Sequence, residues 1–333
     1  MLIRFLFLLL FSILLNSFAV AKDNISYTKL SQQFRHDELI VSNYPESIKT
    51  PGLVLDKTLT ASAIRLMYHH RNAMEYPIYM NVLVSNWGLD VATVNVMTGL
   101  GGSSKDIVFA GHTSMSKFMI SLKNGGKDIV LAPGESARLL SHKIKPDQTV
   151  SGLFRVQRGD SDLINLKIQV FDIRYPALSG GIDVPSVLNR FKYGEFENSF
   201  VEKKYQYKFE TLNKIMSVGD VPFVKDNRTG LEMKGNYGVM YFLTLKVTNP
   251  SSENKGITLF LSPVKNQSID RGVVLLDGEL IETDILTYKN NIKIMQALKS
   301  YTLRPSEVRE IKLMMMPQAG VFYPVDIIVR QTY

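Results

Sequence analysis

From about residue 51 the chain is broken into short runs rich in Val, Ile, Leu, Tyr and Phe, separated by turn-forming residues. This cadence restricts it to an all-β fold. Residues 78–85 read as one strand, ended by Asn86-Trp87-Gly88, and residues 92–97 alternate out of that turn as its hairpin partner. The design recurs where residues 241–248 stop at Asn249-Pro250-Ser251 and residues 256–261 resume as a partner. Turns at Pro133 and Pro305 introduce a later strand in each half, and alternating runs at 166–171 and 325–330 close the halves. The repeated plan predicts two tandem antiparallel β-sandwich domains of Ig-like type. One stretch breaks the cadence. Phe109, Met115, Phe118, Met119 and Leu122 fall at helical spacing after the Gly-rich segment Gly99 to Ser104, and the run ends at Asn124-Gly125-Gly126. A single helix capping the first sandwich is expected there.

The N-terminus constrains location. Arg4 precedes an apolar run from Phe5 to Val20 that ends in Ala19-Val20-Ala21, the small-x-small pattern of a cleavable signal peptide. Residues 1–21 are read as this leader, 22–50 as a flexible N-terminal segment, 51–178 as the first sandwich, 179–205 as a linker and 206–333 as the second sandwich. A secreted or periplasmic protein follows, without a transmembrane anchor after cleavage. The chain has no cysteine, which excludes a lipidated cysteine, disulfides and thiolate metal sites. Its formal charge of +8 is scattered along the chain, which favours loose attraction to anionic envelope components over a nucleic-acid stripe. A cell-wall polymer or another envelope protein is the expected partner, and nucleic acid is not.

The five histidines, His36, His69, His70, His112 and His142, all fall in the first half, where a thiol-free zinc or copper site would be sought. In a strand His69 and His70 point to opposite faces, so a shared site would need His112 and His142 to converge with a carboxylate such as Asp106. Met314, Met315 and Met316 also alternate faces, which makes them core filling and not a thioether copper site. The Gly-rich segment before the helix has the outline of an anion cradle but lacks the Gly-Lys-Ser/Thr ending. The carboxylates Glu279, Glu282 and Asp284 are close enough in sequence for a two-acid hydrolase, with nothing in their spacing to separate that from a solvated strand face. Trp87 in its turn and the tyrosines at 76, 79, 205, 207, 237 and 241 could stack on sugars or pack in cores. No Gly-x-Ser-x-Gly or His-Glu-x-x-His motif occurs, so no catalytic residue is assigned and no cofactor is implied.

Five strings carry a resemblance: Arg65-Leu66-Met67-Tyr68-His69-His70-Arg71-Asn72, Leu83-Val84-Ser85-Asn86, residues 145–153 starting Lys145-Pro146-Asp147-Gln148, Gly235-Asn236-Tyr237-Gly238-Val239, and residues 316–325 from Met316 to Val325. Together they resemble uncharacterised secreted bacterial β-sandwich proteins, some associated with a copper-amine-oxidase-like N-terminal domain. The resemblance implies an envelope protein and lends no catalytic residue. The cofactor tyrosine of copper amine oxidases stands in an Asn-Tyr-Asp/Glu context, whereas here Asn43-Tyr44 precedes Pro45 and Asn236-Tyr237 precedes Gly238. The expected function is exported, non-enzymatic binding or scaffolding at the cell envelope. His69, His70, His112, His142 and Trp87 are the candidate ligand contacts. The alternative is an exported metal-handling protein or hydrolase built on the same histidines.

Overall fold

A computed structural model describes residues 26–44, 46–159, 162–172, 192–209, 213–264 and 271–332, so the proposed leader lies outside the described residues. Eleven strands build the first pair of sheets: β1 (Glu38–Tyr44), β2 (Ser47–Ile48), β3 (Gly52–Thr58), β4 (Ala63–Asn72), β5 (Ile78–Asn86), β6 (Ala92–Ser104), β7 (Lys127–Leu131), β8 (Ser136–Ile144), β9 (Thr149–Arg158), β10 (Ile164–Asp172) and β11 (Lys192–Phe196). Sheet I runs β11-β1-β4-β9-β6-β7 with β2 beside β4, and sheet II runs β3-β10-β5-β8. The second pair uses β12 (Phe200–Lys208), β13 (Asn213–Val218), β14 (Met240–Thr248), β15 (Lys255–Pro263), β16 (Val273–Leu276), β17 (Glu279–Glu282), β20 (Gln296–Leu303), β21 (Val308–Met315) and β22 (Val325–Thr332). Sheet III runs β12-β14-β21-β16-β17, and sheet IV runs β13-β22-β15-β20. A separate hairpin pairs β18 (Thr287–Lys289) with β19 (Ile292–Ile294).

The all-β sandwich architecture is as expected, and the two pairs of sheets share one strand order. Two details differ. Each sandwich contains parallel pairing: β1 and β2 both run parallel to β4 in the first, and β12 runs parallel to β14 in the second. The expected hairpins are also not hairpins: β5 lies in sheet II and β6 in sheet I, while β14 lies in sheet III and β15 in sheet IV. Each turn arches from one sheet to the other, because adjacent apolar strands can cover one core from opposite sides as readily as they can pair.

The arches share one device. Asn86 donates its Nδ2 to the carbonyls of Asp90 and Leu131 and accepts from the Gly88 amide, while its own N–H reaches the Glu135 carbonyl. Asn249 repeats this with Glu253, Leu303, Ser251 and Glu307. Asn72 is a third copy, using Tyr76, Ile144, Met74 and Gln148. By strand order Asn249 with Pro305 corresponds to Asn72 with Pro146, so the sequence reading paired Asn249 with the wrong copy. In those equivalent turns Ser306 and Asp147 both take left-handed φ, at 59° and 61°.

The stretch read as flexible, 22–50, holds helix α1 (Tyr27–Phe34), β1 and β2, and the stretch read as linker, 179–205, supplies β11 and the start of β12. Their polar composition hides a few deeply buried anchors: Leu30, Phe34, Leu39 and Ile40 are each no more than 4% exposed. Ser26 caps α1, accepting from the Lys29 amide. Helix α2 (Ile107–Ser121) falls where expected, but it lies between the sandwiches instead of closing one end.

Three cores result. One lies between sheets I and II, and another between sheets III and IV. The third fills the space between the outer faces of sheets I and III, together with α1 and α2. Seven of its fifteen buried members are methionines, Met67, Met97, Met115, Met119, Met240, Met314 and Met316, whose unbranched side chains fit a seam between two pre-formed surfaces. Met315 faces the other way, into the second sandwich, as alternation requires.

At the hub of this seam Arg65 and Arg155 stand opposite each other on β4 and β9, with the Phe34 ring 5.5 and 5.3 Å from their guanidinium carbons. Asp37 receives Arg155 Nε and Nη2 at 2.9 and 3.0 Å, and Arg65 Nη2 donates to the carbonyl and hydroxyl of Ser199. Both arginines are buried, and burial pushes Arg65 down to about 10.

Candidate functional site

The sequence candidates do not meet. His69 and His70 point to opposite faces of sheet I: His70 Nε2 lies 3.0 Å from Ser42 Oγ inside the first sandwich, and His69 faces the seam. His112 on α2 reaches Glu282 of β17 at 2.9 Å, and Ser116 Oγ donates to the same carboxylate at 2.6 Å. This set ties α2 to the second sandwich. Burial would push the Glu282 carboxyl up, but the hydrogen bonds from Ser116 and His112 bring it below its usual range. His142 is half-buried on β8, His36 is exposed beside Asp37, and Trp87 is half-exposed at the β5–β6 arch. Asp106 caps α2 through the Phe109 amide and is spent there. Among the described residues no three of His, Asp and Glu are grouped to hold a metal ion. Glu279 is held by Lys299 at 2.7 Å, away from the α2 contact that engages Glu282.

The Gly-rich segment is part of β6, not a cradle. A Cβ at Gly99 would lie 2.2 Å from the Ser114 carbonyl oxygen, and one at Gly101 would lie 2.1 Å from that of Ala110. The glycines let α2 lie directly on the strand.

A concave site does open along the seam. A cleft of about 310 Å³ is bounded on the first sandwich by Asn43, Glu46, Met67 and His69, and on the second by Tyr237 and Phe322. A wider one of about 560 Å³ continues it past Tyr193, Arg228 and Leu231. Val41, Asn43 and Tyr237 line both, so the two form one groove. Tyr44, Leu231 and Phe322 stand on its rim, 61%, 71% and 54% exposed. The floor is rigid: Tyr237 packs edge-on against Tyr323 and donates its hydroxyl to the Val321 carbonyl at 2.9 Å. Arg228 stacks over Tyr193, its carbon 4.4 Å from the ring centre, and lies 3.6 Å from Glu195.

His69 is the buried polar group of the narrower cleft. Its Nδ1 is hydrogen-bonded to Ser151 Oγ, and its Nε2 lies 3.9 Å from Glu46 Oε1. Burial pushes its pKa down to about 4, so the ring is neutral at pH 7. The hydrogen bond to Ser151 fixes the orientation of the imidazole. Because the folded pKa lies below the ordinary 6.5, the unfolded chain binds a proton first on acidification. The stability from a neutral His69 is present above pH 6.5 and is lost as the pH falls towards 4. Between pH 6.5 and 5 about 2 kcal/mol should disappear on account of His69, and His69→Gln should remove that share of the slope in urea titrations at the two pH values. His112 and His142 are lowered by burial in the same sense.

No family model and no curated protein matches the chain. Solved structures overlap with it only weakly. A multicopper oxidase from Campylobacter jejuni, described as a metallo-oxidase, is 12% identical over 76% of this chain and 47% of its own, with a TM-score of 0.11. Lac15 from a marine microbial metagenome is 10% identical over 84% and 59%, at 0.13. The tandem CBM22 domains of Paenibacillus barcinonensis Xyn10C are 8% identical over 86% and 91%, at 0.16. The chain spans about half the length of the first of these.

Of the sequence candidates only His69 and Tyr237 reach the groove. Asn43, Glu46 and Tyr193 stand in none of the five strings singled out in the sequence, whereas Phe322 lies in the 316–325 string. A signal did exist: the strings containing Met67 and His69, Tyr237, and residues 319–322 come together in this one cleft.

Proposed function

We propose that this is an exported, non-enzymatic binding or scaffolding protein of the cell envelope, which holds an elongated ligand in the groove between its two sandwiches. The observation that carries this reading is the groove itself: two joined clefts, open to solvent, with apolar floors and exposed Tyr44, Leu231 and Phe322 on the rim. Large apolar side chains left exposed around a concavity mark binding surfaces more than chance exposure does. The shared methionine-rich core holds the two walls in one register, so the groove is pre-formed and little ordering is needed on binding. A cell-wall polymer or an extended segment of another envelope protein fits its length.

The test is co-sedimentation of the mature chain with peptidoglycan, together with titration of soluble polysaccharides and unfolded peptides. Binding is expected to fall at least about tenfold on combining Tyr44→Ser with Phe322→Ser, with an unchanged melting temperature. Binding untouched by these exchanges would overturn the groove. Stoichiometric copper or zinc, lost on replacing His69, His70, His112 or His142, would overturn the non-enzymatic reading.

A further inference from the structure

Resting on the groove reading, we propose that the narrow half of the groove is a subsite for a primary ammonium group carried on an apolar body, with Glu46 as counter-ion and Tyr237 and Phe322 as walls. Among the residues lining this half, Glu46 and His69 are the only acid and base, and burial keeps His69 neutral. Glu46 therefore supplies the one formal charge. Arg71, two residues beyond His69 on β4, is already held by Asp147 at 2.6 Å. The positive end of the α2 dipole, at Ile107, is answered by the Asp106 cap. The subsite is thus negative within apolar and aromatic walls.

The spacing suits a nitrogen. His69 Nε2 and Glu46 Oε1 are 3.9 Å apart, too far for a hydrogen bond to each other. A single ammonium lying about 2.9 Å from each would bridge them. The tautomer that donates Nδ1–H to Ser151 Oγ leaves Nε2 as an acceptor beside the Glu46 carboxylate, so two N–H groups of the ammonium are answered. Tyr237 and Phe322 line the cleft with aromatic rings, whose quadrupole can favour a cation, and Met67 and Val41 supply apolar surface for the body.

The experiment titrates the mature chain by calorimetry and saturation-transfer NMR with phenethylamine, 2-phenylethanol and 3-phenylpropionate, which differ in charge at similar shape. A part-exposed ion pair and a cation–π contact together are worth about tenfold, so the amine should bind about ten times tighter than the alcohol, and the carboxylate weakest. Glu46→Gln, at an exposed position that should leave folding intact, should abolish the preference while changing the alcohol's affinity less than about twofold. Equal binding of all three probes, or a preference that survives Glu46→Gln, overturns the ammonium subsite but leaves the groove standing if Phe322→Ser still weakens the alcohol. Absence of binding by every probe, or binding indifferent to Phe322→Ser, overturns both.

Discussion

Asp37→Ala is expected to cost about 3–5 kcal/mol, the range for removing one partner of a buried ion pair. Asp37 and Arg155 are both essentially inaccessible to water, and the carboxylate takes two of the guanidinium's hydrogen bonds. Removing it leaves Arg155 buried with only Gln157 Oε1 and the Gln33 carbonyl. The second cation compounds the loss. Arg65 stands directly opposite, and Asp37 is the one carboxylate that favours its charged form. The Asp37 backbone carbonyl also accepts from Ser199, the residue that receives Arg65. Equilibrium urea unfolding measures the effect, and amide exchange in α1 should rise because Phe34 loses the guanidinium pair that encloses it. A loss below about 1 kcal/mol would mean that the arginines find other compensation. The double replacement Asp37→Leu with Arg155→Met should recover much of the stability, since an apolar pair avoids the desolvation cost.

Gly111→Ala sets two effects against each other. Within a helix, alanine is favoured over glycine by about 1 kcal/mol, so propensity alone predicts a stabler protein. The contact predicts the reverse. A Cβ at Gly111 would lie 1.8 Å from the Ala319 carbonyl oxygen, which belongs to the backbone of the second sandwich and cannot rotate away. Gly320 makes the reciprocal approach to the Ile107 carbonyl, so both sides of this crossing are stripped of side chains. Relief requires the helix and the 319–322 segment to part, and that should outweigh propensity and leave a net loss of about 3 kcal/mol. The melting temperature gives the sign. Because residues 319–322 also form one wall of the groove, phenethylamine and 2-phenylethanol should both bind more weakly in this variant.

Much of the fold was legible in local pattern. The strands at β5, β14, β15 and β22 and the helix α2 lie within two or three residues of where alternation and helical spacing put them. The opposite orientations of His69 and His70, and of Met315 against its neighbours, follow from the two-residue period of a strand. What pattern could not supply was partnership. The runs at β5 and β6 read as a hairpin because turn residues look alike whether a chain folds back in one sheet or arches to another. Segments of polar composition were read as loose because the burial of α1 and β1 rests on a few residues such as Phe34 and Leu39, not on a repeating stripe.

The same division holds for the site. From its order of residues alone the chain determined an all-β body without thiol chemistry, the alternation of side chains along its strands, and the absence of any catalytic motif. Which apolar face covers which was decided only in three dimensions. The seam brings together residues near 43, 69, 237 and 322, and contacts so distant in sequence leave no period or spacing behind. The groove exists because two sandwiches of the same strand order bury their remaining apolar faces against each other through flexible methionines and bare glycines, and where that closure stops, a lined cleft is left open.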